Sequence, residues 1–288
     1  MKKRVIVILG PTAVGKSDFA VELACRYDAP VVSCDSRQIY KEMKIGTAPP
    51  TQQQMDRCRH YFIHSHSIQQ HYSAGQYEIE ALELVSSLLR ERDVVVMVGG
   101  SGLYADAFCY GLDSFPEADL PLREELGKRE QEEGLDSLRK QLMELDPLTY
   151  HSIDLSNRQR VIRALEVTLS TGRPYSSFKT APRKSRPFSI ERYALNMDRE
   201  ILYDRINRRV DTMVDAGLVD EVRSLEPYRG LPALMTVGYR EIFDAFDGKI
   251  SMDEAISLIK RNTRRYAKRQ VTYFADEKQI SYPDLTRI

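Results

Sequence analysis

The residues best equipped for chemistry stand near the start of the chain. Gly10, Pro11, Thr12, Ala13, Val14, Gly15, Lys16 and Ser17 meet the spacing G-x-x-x-x-G-K-[ST], the pattern of a phosphate-cradling loop. Its glycines let the backbone wrap an anion, and successive N–H groups and a helix N-terminus face the charge. Lys16 adds a cation, and the Ser17 hydroxyl is a ligand for Mg²⁺. A coincidental glycine turn is the plain alternative. The apolar run Val5 to Leu9 before the loop and the helical pattern after it argue against that. Such a loop binds a diphosphate or a triphosphate.

A kinase or ATPase built on this loop also wants an acidic residue closing a later strand to organise metal. Val94 to Val98 ends instead in Gly99-Gly100-Ser101-Gly102. Asp35 closes the run Val31 to Cys34, which places it at the carboxyl edge of a sheet, where ligands of open α/β folds bind. There a carboxylate can hold metal, accept a proton from a nucleophile, or simply form the turn into Ser36-Arg37. Ser101 is open in the same way, between a turn hydroxyl and a contact to substrate.

Positioning these groups falls to an alternation of apolar runs and helical patterns over the first 112 residues. Strands are expected at Val5 to Leu9, Val31 to Cys34 and Val94 to Val98, and helices at Ser17 to Tyr27 and Ala74 to Arg90. Continuous apolar strands fit a parallel sheet covered on both faces. Past Leu112 the texture changes. Asp113 to Pro121 is loop-like, Leu122 to Leu145 and Asn157 to Ser170 are helical, and Thr171 to Pro187 reads as a mobile connection. A strand at Ile190 to Met197 returns to the core, followed by helices over Arg199 to Leu225, Gly238 to Ala245 and Ser251 to Phe274. The fold class expected is α/β: a P-loop NTPase-like parallel sheet with helices on both faces (1–112 and 190–288) and a mainly helical inserted domain (113–189).

Composition supports a globular chain: 288 residues, 42% hydrophobic and 29% charged, supply material for one core or two. The opening apolar run is shorter than the roughly 7–15 residues of a secretory signal, and no run reaches the roughly 18 of a membrane span. Cys25, Cys34, Cys58 and Cys109 show neither close pairing nor a metal-ligand rhythm. A cytoplasmic monomer without a membrane partner is expected. The net charge of zero hides an asymmetry, since residues 158–209 hold thirteen Lys/Arg against five Asp/Glu. Residues 255–275 hold Lys260, Arg261, Arg264, Arg265, Lys268 and Arg269 with no acid. One such run is ordinarily a solvated helix face; two of them beside a phosphate loop point to a polyanion partner.

Further segments carry a resemblance. Asp35-Ser36-Arg37-Gln38-Ile39-Tyr40, Ile45-Gly46-Thr47-Ala48-Pro49, Gly99-Gly100-Ser101-Gly102-Leu103-Tyr104, Asn157-Arg158-Gln159-Arg160, Val237-Gly238-Tyr239-Arg240 and Ala267-Lys268-Arg269-Gln270, with the loop at 10–17, span nearly the whole chain. In this order they resemble the bacterial tRNA dimethylallyltransferases, also called tRNA isopentenyltransferases. The resemblance implies that the loop grips the diphosphate of dimethylallyl diphosphate, with Mg²⁺ and Arg223. It implies that Asp35 is the general base for an adenine N6 amine and that Ser101 contacts substrate near that amine. Asp35, Ser36, Arg37 and Gln38 are implied to touch the target and neighbouring bases, while Arg123 and Gln159, Arg160, Val161, Ile162 and Arg163 are implied to meet the anticodon stem-loop of tRNA. Val161 and Ile162 fit a helix core equally well by spacing.

Three departures from the family pattern stand out: Ser101 where Thr is common, Tyr273 where Trp is usual, and His64 where Asp is typical. His60, His64 and His66 suggest a metal site by type, but no Cys or carboxylate completes a ligand set, so structural roles are favoured. A small-molecule kinase, an adenylate isopentenyltransferase and an RNA-binding NTP switch are the rival readings. The basic insertion disfavours the first two, and the third leaves Asp35 idle.

Overall fold

The computed structural model describes residues 3–179 and 183–281. In chain order the first half gives β1 (Arg4–Leu9), α1 (Lys16–Tyr27), β2 (Val31–Ser33), α2 (Gln52–Arg57), β3 (His60–Tyr61), α3 (Ala74–Glu91), β4 (Val94–Val98) and α4 (Gly102–Tyr110). Then come α5 (Leu120–Glu133), α6 (Leu135–Leu145), α7 (Pro147–Ser152), α8 (Arg158–Thr171), β5 (Ser189–Asn196), α9 (Arg199–Asp215), α10 (Leu218–Ser224), α11 (Tyr239–Phe246), α12 (Met252–Tyr273) and β6 (Lys278–Ser281). The strands form one parallel sheet ordered β3-β2-β4-β1-β5-β6. Strands β1 and β4 are buried from end to end on both faces, apart from the half-buried first residue of β1, which explains their unbroken apolar sequence.

Two compact units emerge, 3–110 with 186–281 and 111–185. In the first, Ile6, Ile8, Val96 and Val98 pack with Phe19, Leu23, Leu202 and Ile206 on one side of the sheet. In the second, Leu126, Leu138, Leu142, Val161, Ile162 and Leu165 make a separate helical core.

Several expectations change in detail. The helical stretch 122–145 is two helices, because Gly134 takes a positive φ of 81° between them. The stretch 199–225 is likewise broken at Gly217, at φ 96°, a region open to glycine without steric cost. The expected connection over 171–187 begins inside α8, and Tyr175–Phe178 forms a 3₁₀ turn. Its Ser176 donates from backbone and hydroxyl to the buried Asp146 carboxylate at 2.7 and 2.8 Å, so this part is anchored rather than loose. Thr180, Ala181 and Pro182 lie outside the described residues.

The parallel order decides what meets at the carboxyl edge. Leu9, Ser33 and Val98 end adjacent or next-but-one strands, so the 10–17 loop, Asp35 and the Gly99-Gly100 turn converge there. The approach is close. Gly10 has φ 135°, and a Cβ on it would lie 2.7 Å from the Leu195 carbonyl oxygen. Gly10→Ala should therefore cost roughly 2–3 kcal/mol from combined strain and overlap, measurable as a lowered urea midpoint at unchanged slope.

Candidate active site

A cavity of about 970 Å³ opens over this edge, lined entirely by residues of the sheet-bearing unit. Thr12, Ala13, Gly15, Lys16 and Ser17 form its floor, while Gly10, Pro11 and Val14 are buried behind them and shape the loop. The loop is braced by Gln270 of α12, whose Oε1 accepts from Thr12 N–H at 2.9 Å and whose Nε2 donates to the Gly100 carbonyl at 2.8 Å. One buried amide thus ties the phosphate loop to the Gly-Gly turn and to the last long helix.

Lys16 folds its ammonium back onto the Pro11 carbonyl at 2.7 Å. Burial and the neighbouring Arg209 push its pKa down to about 8, with Asp35 pulling the other way. Arg209, on α9, reaches Thr12 Oγ1 at 3.4 Å and the Ala48 carbonyl at 3.1 Å. Burial and Arg205 lower its pKa too, again opposed by Asp35. Two cations share a partly dehydrated space, an arrangement that favours an incoming polyanion.

Asp35 stands on the same wall. Its Oδ1 accepts the backbone N–H groups of Arg37 at 2.8 Å and Gln38 at 3.3 Å, so the turn-forming role is real. Among the described residues Oδ2 has no hydrogen-bond partner, which leaves one oxygen to take a proton. Ser36, Arg37 and Gln38 also line the cavity. Arg37 is tethered to the carbonyls of Pro232 and Ala233 at 3.2 and 3.1 Å, and Gln38 to those of Thr47 and Ala48 at 3.3 and 3.0 Å. Ser101 lies behind the lining. Its Oγ accepts from Ser36 N–H at 2.9 Å and donates to Ser36 Oγ at 3.0 Å, and it pairs with Tyr266, whose phenol burial and Asp35 push up to about 12. The Ser101 hydroxyl expected near substrate thus stands just behind the lining, where it supports Ser36.

Arg223 is the clearest displacement. Beyond the Gly217 break, α10 follows its own direction, and the Arg223 guanidinium lies 4.5 Å from the Phe246 ring centroid, outside the cavity lining. The cations that α9 presents are Arg205, Arg208 and Arg209, spaced i, i+3, i+4 beside the buried stripe Leu202, Ile206 and Val210. That spacing on the polar side of α9 was the available signal for Arg209. Gln270 and Tyr266 sit in or beside the Lys268-Arg269-Gln270 segment, without local chemistry to mark them.

In the helical unit, Val161 and Ile162, for which the resemblance implied contact with a stem-loop, have their side chains buried in the core. Gln159 and Arg160 are exposed on the first turn of α8, capped by the Asn157 side chain. Arg123 and Arg163 converge on the fully buried Glu166, at 2.7 and 2.5 Å. The three histidines diverge: His60 Nδ1 is 2.9 Å from the Cys58 carbonyl, His66 Nε2 is 3.3 Å from Glu80, and His64 Nε2 is buried without a partner. No cluster of three His, Cys, Asp or Glu with metal-site geometry occurs among the described residues. Nor is any described helix long and apolar enough to cross a membrane.

A glycine-rich phosphate loop after β1, backed by two cations and facing a carboxylate at the switch of a parallel sheet, defines a P-loop enzyme of the α/β class. Comparison with known proteins narrows this. Residues 38–277 match the family described as IPP transferase. The tRNA dimethylallyltransferase of Cytophaga hutchinsonii is 48% identical over 282 residues, 98% of this chain and 93% of that one. The crystal structure of the tRNA isopentenylpyrophosphate transferase of Bacillus halodurans superposes with a TM-score of 0.68 at 37% identity, covering 97% and 90%. A eukaryotic dimethylallyltransferase acting on tRNA shares the fold at TM-score 0.80 and 24% identity, covering 99% of this chain and 75% of that one. The chain belongs to the IPP transferase family.

The lowered pKa of Lys16 makes a signed prediction. A bound diphosphate favours the charged ammonium and raises its pKa, so binding near pH 8.5 takes up a proton. Affinity for inorganic pyrophosphate should fall by up to about tenfold per unit as pH rises above about 8, read by calorimetry in buffers of different ionisation enthalpy. Lys16→Met should bind more weakly and lose this proton uptake.

Proposed function

We propose that the protein transfers a dimethylallyl group from dimethylallyl diphosphate to N6 of the adenosine immediately 3′ of the anticodon in tRNA. The observation that carries this is the pairing, within one cavity, of Lys16 and Arg209 over the phosphate loop with the unpartnered Oδ2 of Asp35. The allylic C1–O bond breaks as the N6–C1 bond forms, and the N6 proton passes to Asp35. The diphosphate departs onto the loop N–H groups, Lys16 and Arg209, where fixed charges meet the charge that develops. Adenine N6 is a weak nucleophile, so orientation matters as much as the base. Ser36, held by Ser101, which Tyr266 supports in turn, and Arg37 and Gln38, held by backbone carbonyls, form a rigid wall for a base taken out of its stack.

The Ser17 hydroxyl, a hard oxygen donor in the cavity lining, would help to hold Mg²⁺ beside the diphosphate, leaving Asp35 to act as the base. When bound, the ion neutralises charge on the diphosphate. Beside the cavity, α12 contributes Thr263, Tyr266 and Gln270 to its lining and leaves Arg261, Arg265, Lys268 and Arg269 exposed. That basic face suits an RNA backbone. In the helical unit, Gln159, Arg160, and Arg123 and Arg163 braced on Glu166 suit the anticodon stem-loop. We take the protein to act as a cytoplasmic monomer.

The test offers labelled dimethylallyl diphosphate and Mg²⁺ with unmodified tRNA, with AMP, or with ATP and small acceptors. Label should enter tRNA alone, and Asp35→Ala should lower kcat by about 10²–10⁴-fold while leaving pyrophosphate affinity within about threefold. Label in AMP would make the protein an adenylate prenyl transferase. ATP turnover without prenyl transfer would make it a kinase.

A further inference from the structure

Glu221 of α10 lies outside the cavity, yet its carboxylate collects four donors. Oε2 accepts the backbone N–H groups of Lys44 and Ile45, each at 2.7 Å. Oε1 accepts that of Gly46 at 3.0 Å and the Tyr239 hydroxyl at 2.7 Å. Three successive N–H groups converging on one anion form the kind of concavity that elsewhere binds phosphate. Here the anion belongs to the chain itself.

The segment so held continues into Thr47, Ala48, Pro49 and Pro50, which line the cavity. It has no strand or helix to stiffen it. Ala48 adopts a left-handed φ of 44°, a conformation that persists in a non-glycine residue only when its surroundings impose it. The Ala48 carbonyl then accepts from Arg209 Nη2 at 3.1 Å and from Gln38 Nε2 at 3.0 Å. Gln38 N–H in turn bonds Asp35 Oδ1 at 3.3 Å. One carboxylate therefore stands two links from the diphosphate cation and three from the base. Tyr239 closes the arrangement from α11, since a Cβ on Gly46 would lie 2.7 Å from its ring.

We propose that Glu221 is a positioning residue, an internal anion that clamps the Lys44–Gly46 loop and through Ala48 aims Arg209 and Gln38 into the cavity. The proposal rests on the reading above only for what Arg209 grips. Glu221 is half-buried, so a small carboxylate can reach the space its truncation leaves, and this supplies a test that loss of packing alone would not pass.

Calorimetry with inorganic pyrophosphate should show Glu221→Ala binding about 10- to 100-fold more weakly, the scale of one or two charge-assisted hydrogen bonds. Added formate should restore most of that affinity and leave the wild type unchanged. Affinity equal to wild type, or a loss that formate does not repair, would overturn the clamp. Should the alanine variant fail to fold, Glu221→Gln keeps the shape but sets an amide N–H₂ against backbone donors. It should show a similar loss without formate rescue, and unchanged affinity in it would also overturn the proposal. Wild-type protein that binds pyrophosphate but prenylates no tRNA would end the functional reading and leave this test intact.

Discussion

Lys16 and Arg209 are kept near one another where burial strips their charges of solvent, and the rest of the site is arranged around that electrostatic cost. Burial lowers the pKa of each, with Arg209 adding to the effect at Lys16 and Arg205 at Arg209, while Asp35 offsets part of the penalty. Arrangements of this kind are stabilised most by an anion that arrives with two or more charges. Holding them open in its absence takes a frame. Gln270 pins the loop to α12, Thr12 and Ala48 catch the Arg209 guanidinium, and the parallel sheet brings loop and carboxylate to the same edge. Such preorganisation means that little reorganises when charge moves to the leaving group.

The same frame assigns two tasks to Asp35. One oxygen closes the turn that sets Ser36, Arg37 and Gln38 along the wall, and in the proposed reaction the other takes the N6 proton. Ser101 serves at one remove, as the support of Ser36. Within the helical unit the pattern recurs with opposite sign: the buried Glu166 gathers Arg123, Arg163 and the Asp119 N–H. A single buried carboxylate with two guanidiniums is satisfied only if all donors stay in place, so it orders both side chains at once.

Much of this was readable in advance, for physical reasons. The phosphate loop announces itself because a backbone that wraps an anion tolerates few residue types, and β1 and β4 announce themselves because strands covered on both faces must be apolar throughout. Asp35 was legible from its place after β2. Elements without such constraints were not. His60–Tyr61 and Lys278–Ser281 become strands because neighbours offer pairing, not through any apolar period, and Gly134 and Gly217 break helices that composition alone would continue. Past that second break α10 carries Arg223 onto Phe246 and outside the cavity lining, where α9 presents Arg209. Val161 and Ile162 fit core and contact equally by spacing, and packing decided for the core.

The most direct measurement is a crystal structure of the protein with a non-reacting thiolodiphosphate analogue of dimethylallyl diphosphate. This account predicts the diphosphate on the N–H groups of residues 12–17, with Lys16 and Arg209 within hydrogen-bond reach and the prenyl C1 facing Asp35. A diphosphate seated against Arg223, or turned so that C1 faces away from Asp35, would contradict it.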